Sequence, residues 1–136
     1  MGVNNSILTV ICGIITNTDG KIFIARRKKD KLLGGKWEFP GGKIEKDETQ
    51  KECLQRELNE EFAMQIKVGE RLGENEHQYE NFSILLIAYN CEFISATFEL
   101  MDHDAYEWIA PEDLSCYDMA EADRPFLEMI TKRIKS

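Results

Sequence analysis

The sequence has 136 residues, with 17 Lys and Arg against 25 Asp and Glu and a formal net charge of −8. This length suits one domain, and a composition of 43% hydrophobic and 31% charged residues excludes a disordered or fibrous chain. An acidic chain repels duplex nucleic acid, and no apolar run approaches the roughly 20 residues that span a bilayer. We therefore expect a single domain over residues 1–136, whose partners include neither a nucleic acid polymer nor a membrane.

The first half of the chain predicts three strands. The β-branched apolar run at residues 7–16 predicts the first, and an Asp-Gly turn leads into a returning strand at residues 21–26. After a loop at residues 28–36, a short strand at residues 37–39 stops at the Pro-Gly-Gly sequence that follows.

Residues 50–62 predict the clearest helix. Thr49 and Glu52 form a capping box, which makes Thr49 the N-cap. Apolar residues then recur at every fourth position and predict one buried face. They are Leu54, Leu58 and Phe62.

The second half of the chain predicts four strands, at residues 65–76, 82–93, 97–100 and 107–109. Residues 111–114 predict one helical turn, and Pro125 opens a final amphipathic helix to about residue 134. Strands interleaved with two helices predict an α/β or α+β fold around a mixed sheet.

The cysteines and the first residues indicate the compartment. The four cysteines, at positions 12, 53, 91 and 116, form no C-x-x-C pair, so neither a zinc knuckle nor a thioredoxin-like motif is indicated. Residues 1–6 contain no basic segment and no cleavage pattern for export. We therefore expect a cytoplasmic protein whose cysteines remain thiols.

Three carboxylates, Glu57, Glu60 and Glu61, lie close together on the predicted helix. They repel one another, and they lie in its C-terminal half, where the helix dipole disfavours anions. The helix therefore carries an electrostatic penalty unless a cation binds there, and carboxylate oxygens suit Mg²⁺ or Mn²⁺. Taken alone, the three residues also fit a solvated acidic face.

The residues before the helix favour the metal site. Gly41 and Gly42 let the backbone approach a ligand closely, and the Arg56 guanidinium has the geometry to hold a neighbouring carboxylate.

The spacing of these residues resembles that of the Nudix box. The matching pattern is Gly42-x5-Glu48-x7-Arg56-Glu57-Leu58-x-Glu60-Glu61. Residues 37–45 resemble the MutT-like branch of the Nudix hydrolases, and weaker likeness continues at residues 26–27 and 122–125. The resemblance implies the Nudix fold, an α/β/α sandwich around a mixed β-sheet, and hydrolysis of a nucleoside diphosphate linked to another group.

The resemblance also implies a role for each residue of the motif. Glu48 would support the loop or the outer shell of the site, and Arg56 would orient the helix carboxylates. The implied cofactor is Mg²⁺, with Mn²⁺ as a substitute. The implied ligands are the Gly41 carbonyl, Glu57, Glu60 and Glu61.

For MutT-like enzymes the implied reaction is attack of water at the β-phosphorus of a nucleoside triphosphate, which gives a monophosphate and pyrophosphate. Two carboxylates are alternatives for the general base, Glu60 and Asp102. Asp102 falls by position where some MutT-like enzymes carry a loop Glu. The two histidines, His77 and His103, are expected to be exposed loop residues.

Four residues are candidate substrate contacts. Arg27 is a candidate for the phosphates, or else a solvated strand end, and Lys43 is a further contact. Phe39 either stacks on the base or packs in the core. Asp123 is similar in position to the base-reading residue of MutT, although it also fits an N-cap of the final helix. An ionised Asp only accepts hydrogen bonds, which favours the amine of cytosine or the N–H edge of guanine.

These residues favour a nucleoside triphosphate pyrophosphohydrolase that acts on CTP or dCTP derivatives or on oxidised dNTPs in nucleotide-pool sanitation. The alternatives are a Nudix hydrolase of another substrate, such as ADP-ribose or a dinucleoside polyphosphate, and a non-catalytic Nudix binding module. Both a monomer and a homodimer remain open.

Ala63 departs from the family pattern, which usually has Gly two residues after the second Glu of the pair. A left-handed backbone there would cost a non-glycine residue roughly 1–2 kcal/mol. The sequence therefore predicts a different turn at the end of the helix.

Overall fold

A computed structural model of the chain describes residues 7–135, with side chains described through residue 132. The strands are β1 (Ile7–Thr16), β2 (Ile22–Arg27), β3 (Trp37–Glu38), β4 (Gly41–Lys43), β5 (Met64–Gln78), β6 (Ser83–Ala96) and β7 (His103–Ile109). The helices are α1 (Gln50–Phe62) and α2 (Pro125–Lys135), and two short 3₁₀ helices, Pro111–Cys116 and Glu121–Asp123, precede α2. No helix in this part of the chain is both long enough and apolar enough to span a membrane.

The described strands form one mixed sheet of seven, with the order β3-β2-β1-β6-β5. β4 also pairs with β1, and β7 pairs with β2. The β1–β6 pairing is parallel and runs from Ile7 opposite Ser83 to Thr16 opposite Glu92, whereas the other pairings are antiparallel. β1 therefore lies at the centre of the sheet.

Alternate residues of β1 pack into two separate cores, because successive side chains of a strand point to opposite faces of the sheet. Ile11 and Ile15 pack on the α1 side, together with the buried helix residues Leu54, Leu58 and Phe62. On the other side, Cys12 and Ile14 pack with Phe126 and Ile130 of α2. The predicted α/β/α sandwich around a mixed sheet is confirmed.

The start of α1 confirms the predicted capping box. The Thr49 side chain accepts a hydrogen bond from the backbone N–H of Glu52, and the Glu52 side chain accepts one from the N–H of Thr49. These two bonds satisfy backbone donors that have no partner within the helix.

The end of α1 contradicts the prediction for Ala63. Its φ of 49° and ψ of 46° are left-handed, and its N–H donates to the Asn59 carbonyl at 2.9 Å. β5 starts at the next residue, so the chain must reverse at one position while Phe62 and Met64 both enter the core. Burial of these neighbours offsets the local strain.

Two further predictions fail around short segments. Residues 97–100 are not a strand, because Phe98 has a φ of 57° and turns the chain so that its ring stacks on Tyr106 at 4.6 Å. Gly41–Lys43 forms an unpredicted strand, because its pairing with β1 depends on backbone groups that a Pro-Gly-Gly sequence does not reveal.

Candidate active site

A cavity of about 650 Å³ opens beside the central strands β1 and β6, where β4, α1 and the segment before β7 meet. It is lined by eight of the eleven residues that the sequence indicates as metal ligands, catalytic groups or substrate contacts. These are Arg27, Phe39, Gly41, Lys43, Glu57, Glu61, Asp102 and Asp123. The other three, Glu48, Arg56 and Glu60, surround Glu57 but do not line the cavity.

Gly41 lets β4 lie close against β1, and Gly42 lets α1 approach β4 closely. A Cβ at Gly41 would collide with the carbonyl of Ile11 on β1, and a Cβ at Gly42 would collide with the carboxylate of Glu57. Glu57 therefore lies directly against the backbone of β4. Only glycine at both positions permits this arrangement.

Arg56 lies among the carboxylates of the motif. Its Nε and Nη2 donate to the two oxygens of Glu48 at 3.0 and 2.8 Å. Its Nη1 donates to Glu57 at 3.1 Å and to Glu60 at 3.2 Å. The hydrogen bonds from Arg56 lower the pKa of Glu48 to about 2. One guanidinium thus offsets the repulsion that the sequence indicated.

Glu57 and Glu61 have the opposite electrostatic character. Desolvation raises the pKa of Glu57. Desolvation, together with a hydrogen bond to Asp102, raises the pKa of Glu61 to about 7. Oε2 of Glu61 is buried and has no hydrogen-bond partner among the described residues. Both carboxylates are therefore costly to ionise unless a cation lies beside them.

The donor set fits an open site for a hard divalent ion. Glu57, Glu61 and the Gly41 backbone offer oxygen donors to the same cavity, whereas Glu60 is 55% exposed and bonded to Arg56. Within residues 7–135, no three Asp, Glu, His or Cys side chains converge into a ready metal cage. Two carboxylates and a backbone carbonyl in an open cavity leave room for water and phosphate oxygens to complete the shell of a divalent ion.

Asp102 lies beside Glu61 at the rim of the cavity. Desolvation raises its pKa, but hydrogen bonds with Glu61 and Lys31 outweigh this effect and lower the pKa on balance. Its backbone carbonyl accepts a hydrogen bond from Lys28 at 3.0 Å, and its carboxylate lies 3.4 Å from Nζ of Lys31. The loop after β2 and the segment before β7 therefore meet at Asp102.

Both histidines are placed differently from the prediction of exposed loop residues. His103 begins β7, is 2% exposed, and has its Nε2 2.8 Å from Oε2 of Glu38. His77 is half-buried on β5, with its Nε2 3.0 Å from Oε2 of Glu121. The sequence did not single out Glu38, although it stands between Trp37 and Phe39 in the MutT-like segment.

Asp123 is 5% exposed and lines the cavity from the 3₁₀ helix before α2, whereas Glu57 and Glu61 line it from α1. We call these two parts of the lining the two ends of the cavity. Oδ2 of Asp123 accepts a hydrogen bond from the backbone N–H of Phe39 at 2.9 Å, so the carboxyl reaches across the molecule rather than to the start of α2. Burial and the nearby charge of Glu38 raise the pKa of Asp123 well above its usual range. The raised pKa favours the neutral carboxyl, whereas the sequence argument treated Asp123 as an ionised acceptor.

Two residues of β5, and Tyr79 just after it, hold the 3₁₀ helix that carries Asp123. Asn75 donates to the carbonyl of Ala122 at 3.1 Å, and the Tyr79 hydroxyl accepts from the N–H of Ala122 at 3.0 Å. Between them, His77 bonds Glu121. The three residues are two positions apart, so the alternation of β5 directs their side chains to one face. His77 and Tyr79 lie beyond the strand predicted at residues 65–76, so no sequence pattern indicated this role.

The remaining candidates lie along the cavity wall. Arg27 ends β2, where its Nε donates to the Leu32 carbonyl at 2.8 Å and its Nη1 lies 3.6 Å from Glu38. The carbonyl of Lys43 accepts a hydrogen bond from Arg56. Phe39 is 2% exposed in the core on the α2 side, which corresponds to the core-packing alternative.

A sequence profile, two relatives and a solved structure all indicate the same family. The sequence profile of the NUDIX domain matches residues 11–129. CTP pyrophosphohydrolase of Escherichia coli K12 is 37% identical over 121 residues, which cover 89% of this chain and 89% of that protein. 8-oxo-dGTP diphosphatase of the same strain is 30% identical over 125 residues, which cover 92% of this chain and 97% of the relative. The crystal structure of a MutT protein from Methanosarcina mazei Go1 superposes on this chain with a TM-score of 0.89 at 25% identity. The superposition covers 99% of this chain and 100% of the MutT chain.

Proposed function

Because the chain belongs to the Nudix domain family of hydrolases, we propose that it is a Mg²⁺-dependent nucleoside triphosphate pyrophosphohydrolase. The observation that carries the proposal is the pairing of two features in one cavity. Oxygen donors of Glu57 and Glu61 lie at one end, and the buried carboxyl of Asp123 lies at the other. The cavity volume of about 650 Å³ falls within the range of small-molecule sites.

At the phosphate end, the acidic and the basic residues have different proposed roles. Glu57, Glu60, Glu61 and the Gly41 carbonyl are the proposed ligands of Mg²⁺ or of Mn²⁺ as a substitute. When bound, the ion neutralises phosphate charge and lowers the pKa of a bound water. Arg56 holds the helix carboxylates through its bonds to Glu48, Glu57 and Glu60. Arg27 and Lys43, at the cavity wall, contact the phosphates.

Of the two candidate bases, the geometry supports Asp102. Its carboxyl lines the cavity and its lowered pKa keeps it ionised and able to accept a proton, whereas Glu60 is exposed and bonded to Arg56. Asp102 takes the proton of the attacking water as a bond forms between the water oxygen and the β-phosphorus. The bond between the β-phosphorus and the oxygen that bridges it to the α-phosphorus breaks. The monophosphate leaves with that oxygen, and the water oxygen becomes part of pyrophosphate.

At the base end, Asp123 and the backbone near Phe39 read the base. A raised pKa favours the protonated carboxyl, and a protonated carboxyl donates as well as accepts a hydrogen bond. It therefore suits a base edge that presents both an amine and a carbonyl or ring nitrogen. CTP or dCTP derivatives and oxidised dGTP are the proposed substrates, in line with the names of the two relatives. Such an activity belongs to nucleotide-pool sanitation in the cytoplasm.

A substrate panel tests the proposal. Release of pyrophosphate is measured from CTP, dCTP, 5-methyl-dCTP, dGTP, 8-oxo-dGTP and ADP-ribose with Mg²⁺, beside Glu60→Gln and the exposed control Glu112→Gln. We expect turnover of a triphosphate that excess EDTA and Glu60→Gln abolish and that Glu112→Gln preserves. In ¹⁸O-labelled water the label should appear in pyrophosphate.

Three results would contradict the proposal. Turnover of ADP-ribose alone would assign another Nudix substrate class, and nucleotide binding without any turnover would indicate a non-catalytic module. Appreciable turnover in excess EDTA would contradict the role of the metal.

A further inference from the structure

His103 is a buried histidine between two carboxylates, and the proposed reaction does not yet use it. Its Nε2 lies 2.8 Å from Oε2 of Glu38, and its Nδ1 lies 3.7 Å from Oε2 of Glu61. Both Nδ1 and Oε2 of Glu61 are buried atoms without a hydrogen-bond partner among the described residues. With one proton between them, two unpartnered polar atoms that face each other at this distance need only a small movement to form a hydrogen bond.

The ring of His103 is fixed on its other sides. Its face lies against Phe62, with ring centroids 5.0 Å apart, and Phe62 is the fully buried last residue of α1. Glu38 is held in turn by its contact with Arg27. The imidazole therefore has little freedom to turn, and Nδ1 stays directed at Glu61.

We propose that His103 is a positioning residue that fixes the carboxylate of Glu61 from behind, with Nδ1 toward Glu61 and Nε2 anchored on Glu38. The buried Oε2 of Glu61 faces the ring, which leaves Oε1 as the oxygen presented to the cavity. His103 thereby links Glu38 and Arg27, at one wall of the cavity, to a proposed metal ligand at the other. This inference rests on the proposed metal site and assigns how that site is held in shape.

Residues that orient a metal ligand typically contribute 10–100-fold to metal affinity. The test therefore measures binding of Mn²⁺ alone to the full chain by electron paramagnetic resonance, without nucleotide. Two variants separate the ring nitrogens, because an Asn amide nitrogen approximates Nδ1 and a Gln amide nitrogen approximates Nε2. We expect His103→Gln to weaken Mn²⁺ binding roughly 10–100-fold and His103→Asn to remain within about threefold of wild type.

His77→Gln is the matched control, since His77 also bonds a glutamate through Nε2 but lies on β5 beside Glu121. Its Mn²⁺ affinity should equal that of wild type. Urea unfolding of every variant without metal separates loss of positioning from loss of the fold. Equal Mn²⁺ affinity in wild type and His103→Gln would overturn the inference. So would equal losses in the Asn and Gln variants.

A second measurement needs no variant. The ring nitrogens of the two histidines are followed by ¹⁵N NMR while Mg²⁺ is added to the wild-type protein. We expect the Nδ1 signal of His103 to move as Mg²⁺ binds and the signals of His77 to stay, and saturable Mg²⁺ binding with an unmoved His103 signal would overturn the inference. A wild-type chain that binds no metal and releases no pyrophosphate would instead contradict the proposed function itself.

Discussion

At one end of the cavity, the carboxylates of Glu57 and Glu61 belong to a single stretch of chain, residues 41–61, which contains β4, a loop and most of α1. At the other end, Asp123 bonds to Phe39, which is 84 residues away, and its 3₁₀ helix is held by Asn75 of β5 and by Tyr79 just after β5. The first end consists mainly of charged side chains that one arginine holds together. The second consists of a buried carboxyl and backbone groups.

The difference predicts how each end responds to change. At the metal end, the folded chain holds carboxylates where their ionisation is unfavourable, so their removal should abolish turnover with little loss of stability. At the base end, each polar group is part of a hydrogen bond that also joins distant segments. Changes there should therefore alter both substrate discrimination and the free energy of unfolding.

The largest expected effect is at Glu57. Glu57→Gln should lower kcat by roughly 10²–10³-fold, the size typical of removing one preorganised electrostatic group. Because desolvation raises the pKa of Glu57, the metal-free variant should be at least as stable as wild type. Steady-state kinetics and urea unfolding in EDTA measure the two quantities. A large fall in stability would show that Glu57 supports the fold rather than the reaction.

Asp123→Ala tests the base end. A bidentate contact to a base edge discriminates by about 1–3 kcal/mol, so kcat/KM for the preferred nucleotide should fall roughly 10–100-fold. Hydrolysis of inorganic triphosphate, which has no base, should change much less. Equal losses on both substrates would make Asp123 a structural residue only.

The raised pKa of Asp123 also predicts a pH dependence of stability. The folded chain holds this proton more tightly than the unfolded chain, so the contribution is fully present below about pH 3.9 and is lost as pH rises through the raised value. Asp123→Asn removes this dependence but keeps the size of the side chain. In EDTA, wild type should therefore lose stability relative to Asp123→Asn from about pH 4 upward. Other titrating groups, such as Glu61, are common to both proteins and cancel in the comparison. If the urea midpoints of wild type and Asp123→Asn change in parallel across the pH series, the raised pKa of Asp123 is contradicted.

Tyr79→Phe tests the support of Asp123 by the residue just after β5. The change leaves the N–H of Ala122 without its acceptor, which should lower the free energy of unfolding by about 1–3 kcal/mol. KM for the nucleotide should rise while hydrolysis of inorganic triphosphate is unchanged. Tyr106→Phe, in the core on the α1 side, is the control. An unaltered KM in the Tyr79 variant would show that the anchor does not govern base reading.

The smallest expected effect returns to the metal end of the molecule. Ala63→Gly should raise the free energy of unfolding by about 1 kcal/mol, because glycine adopts the left-handed conformation of residue 63 without strain. kcat should not change. A melting temperature below that of wild type would indicate that the gain in unfolded-state entropy outweighs the relieved strain.

The sequence predicts those parts whose determinants are close together in the chain. Thr49 and Glu52 are three residues apart, and the helix they start has the predicted bounds. The failures at Phe98, His103 and Ala63 share a different cause. Each residue adopts its conformation because of partners elsewhere in the fold, namely Tyr106, Glu38, and the core on both sides of the α1–β5 reversal. Local pattern carries no information about such partners.

The same reasoning separates the two ends of the cavity. Spacing places Glu57 and Glu61 on one side of a helix, and the resemblance to the Nudix box then named them as candidate ligands. The environment of Asp123 could not be inferred, because its burial depends on Phe39, on Glu38 and on the hairpin of β5 and β6. For that reason the sequence predicted an ionised carboxylate at Asp123, whereas the fold raises the pKa of this group.

The parallel pairing of β1 with β6 has a consequence for how the chain acquires its structure. β1 is synthesised well before its ten-residue partner at residues 83–92. Until then β1 has only short pairings with β2 and β4, so its apolar faces stay exposed to solvent and to other nascent chains. Contacts between segments so distant in sequence slow folding because a large loop must close first. Assembly of the central sheet is therefore the expected slow step, and crowding by unfolded chains should compete with it.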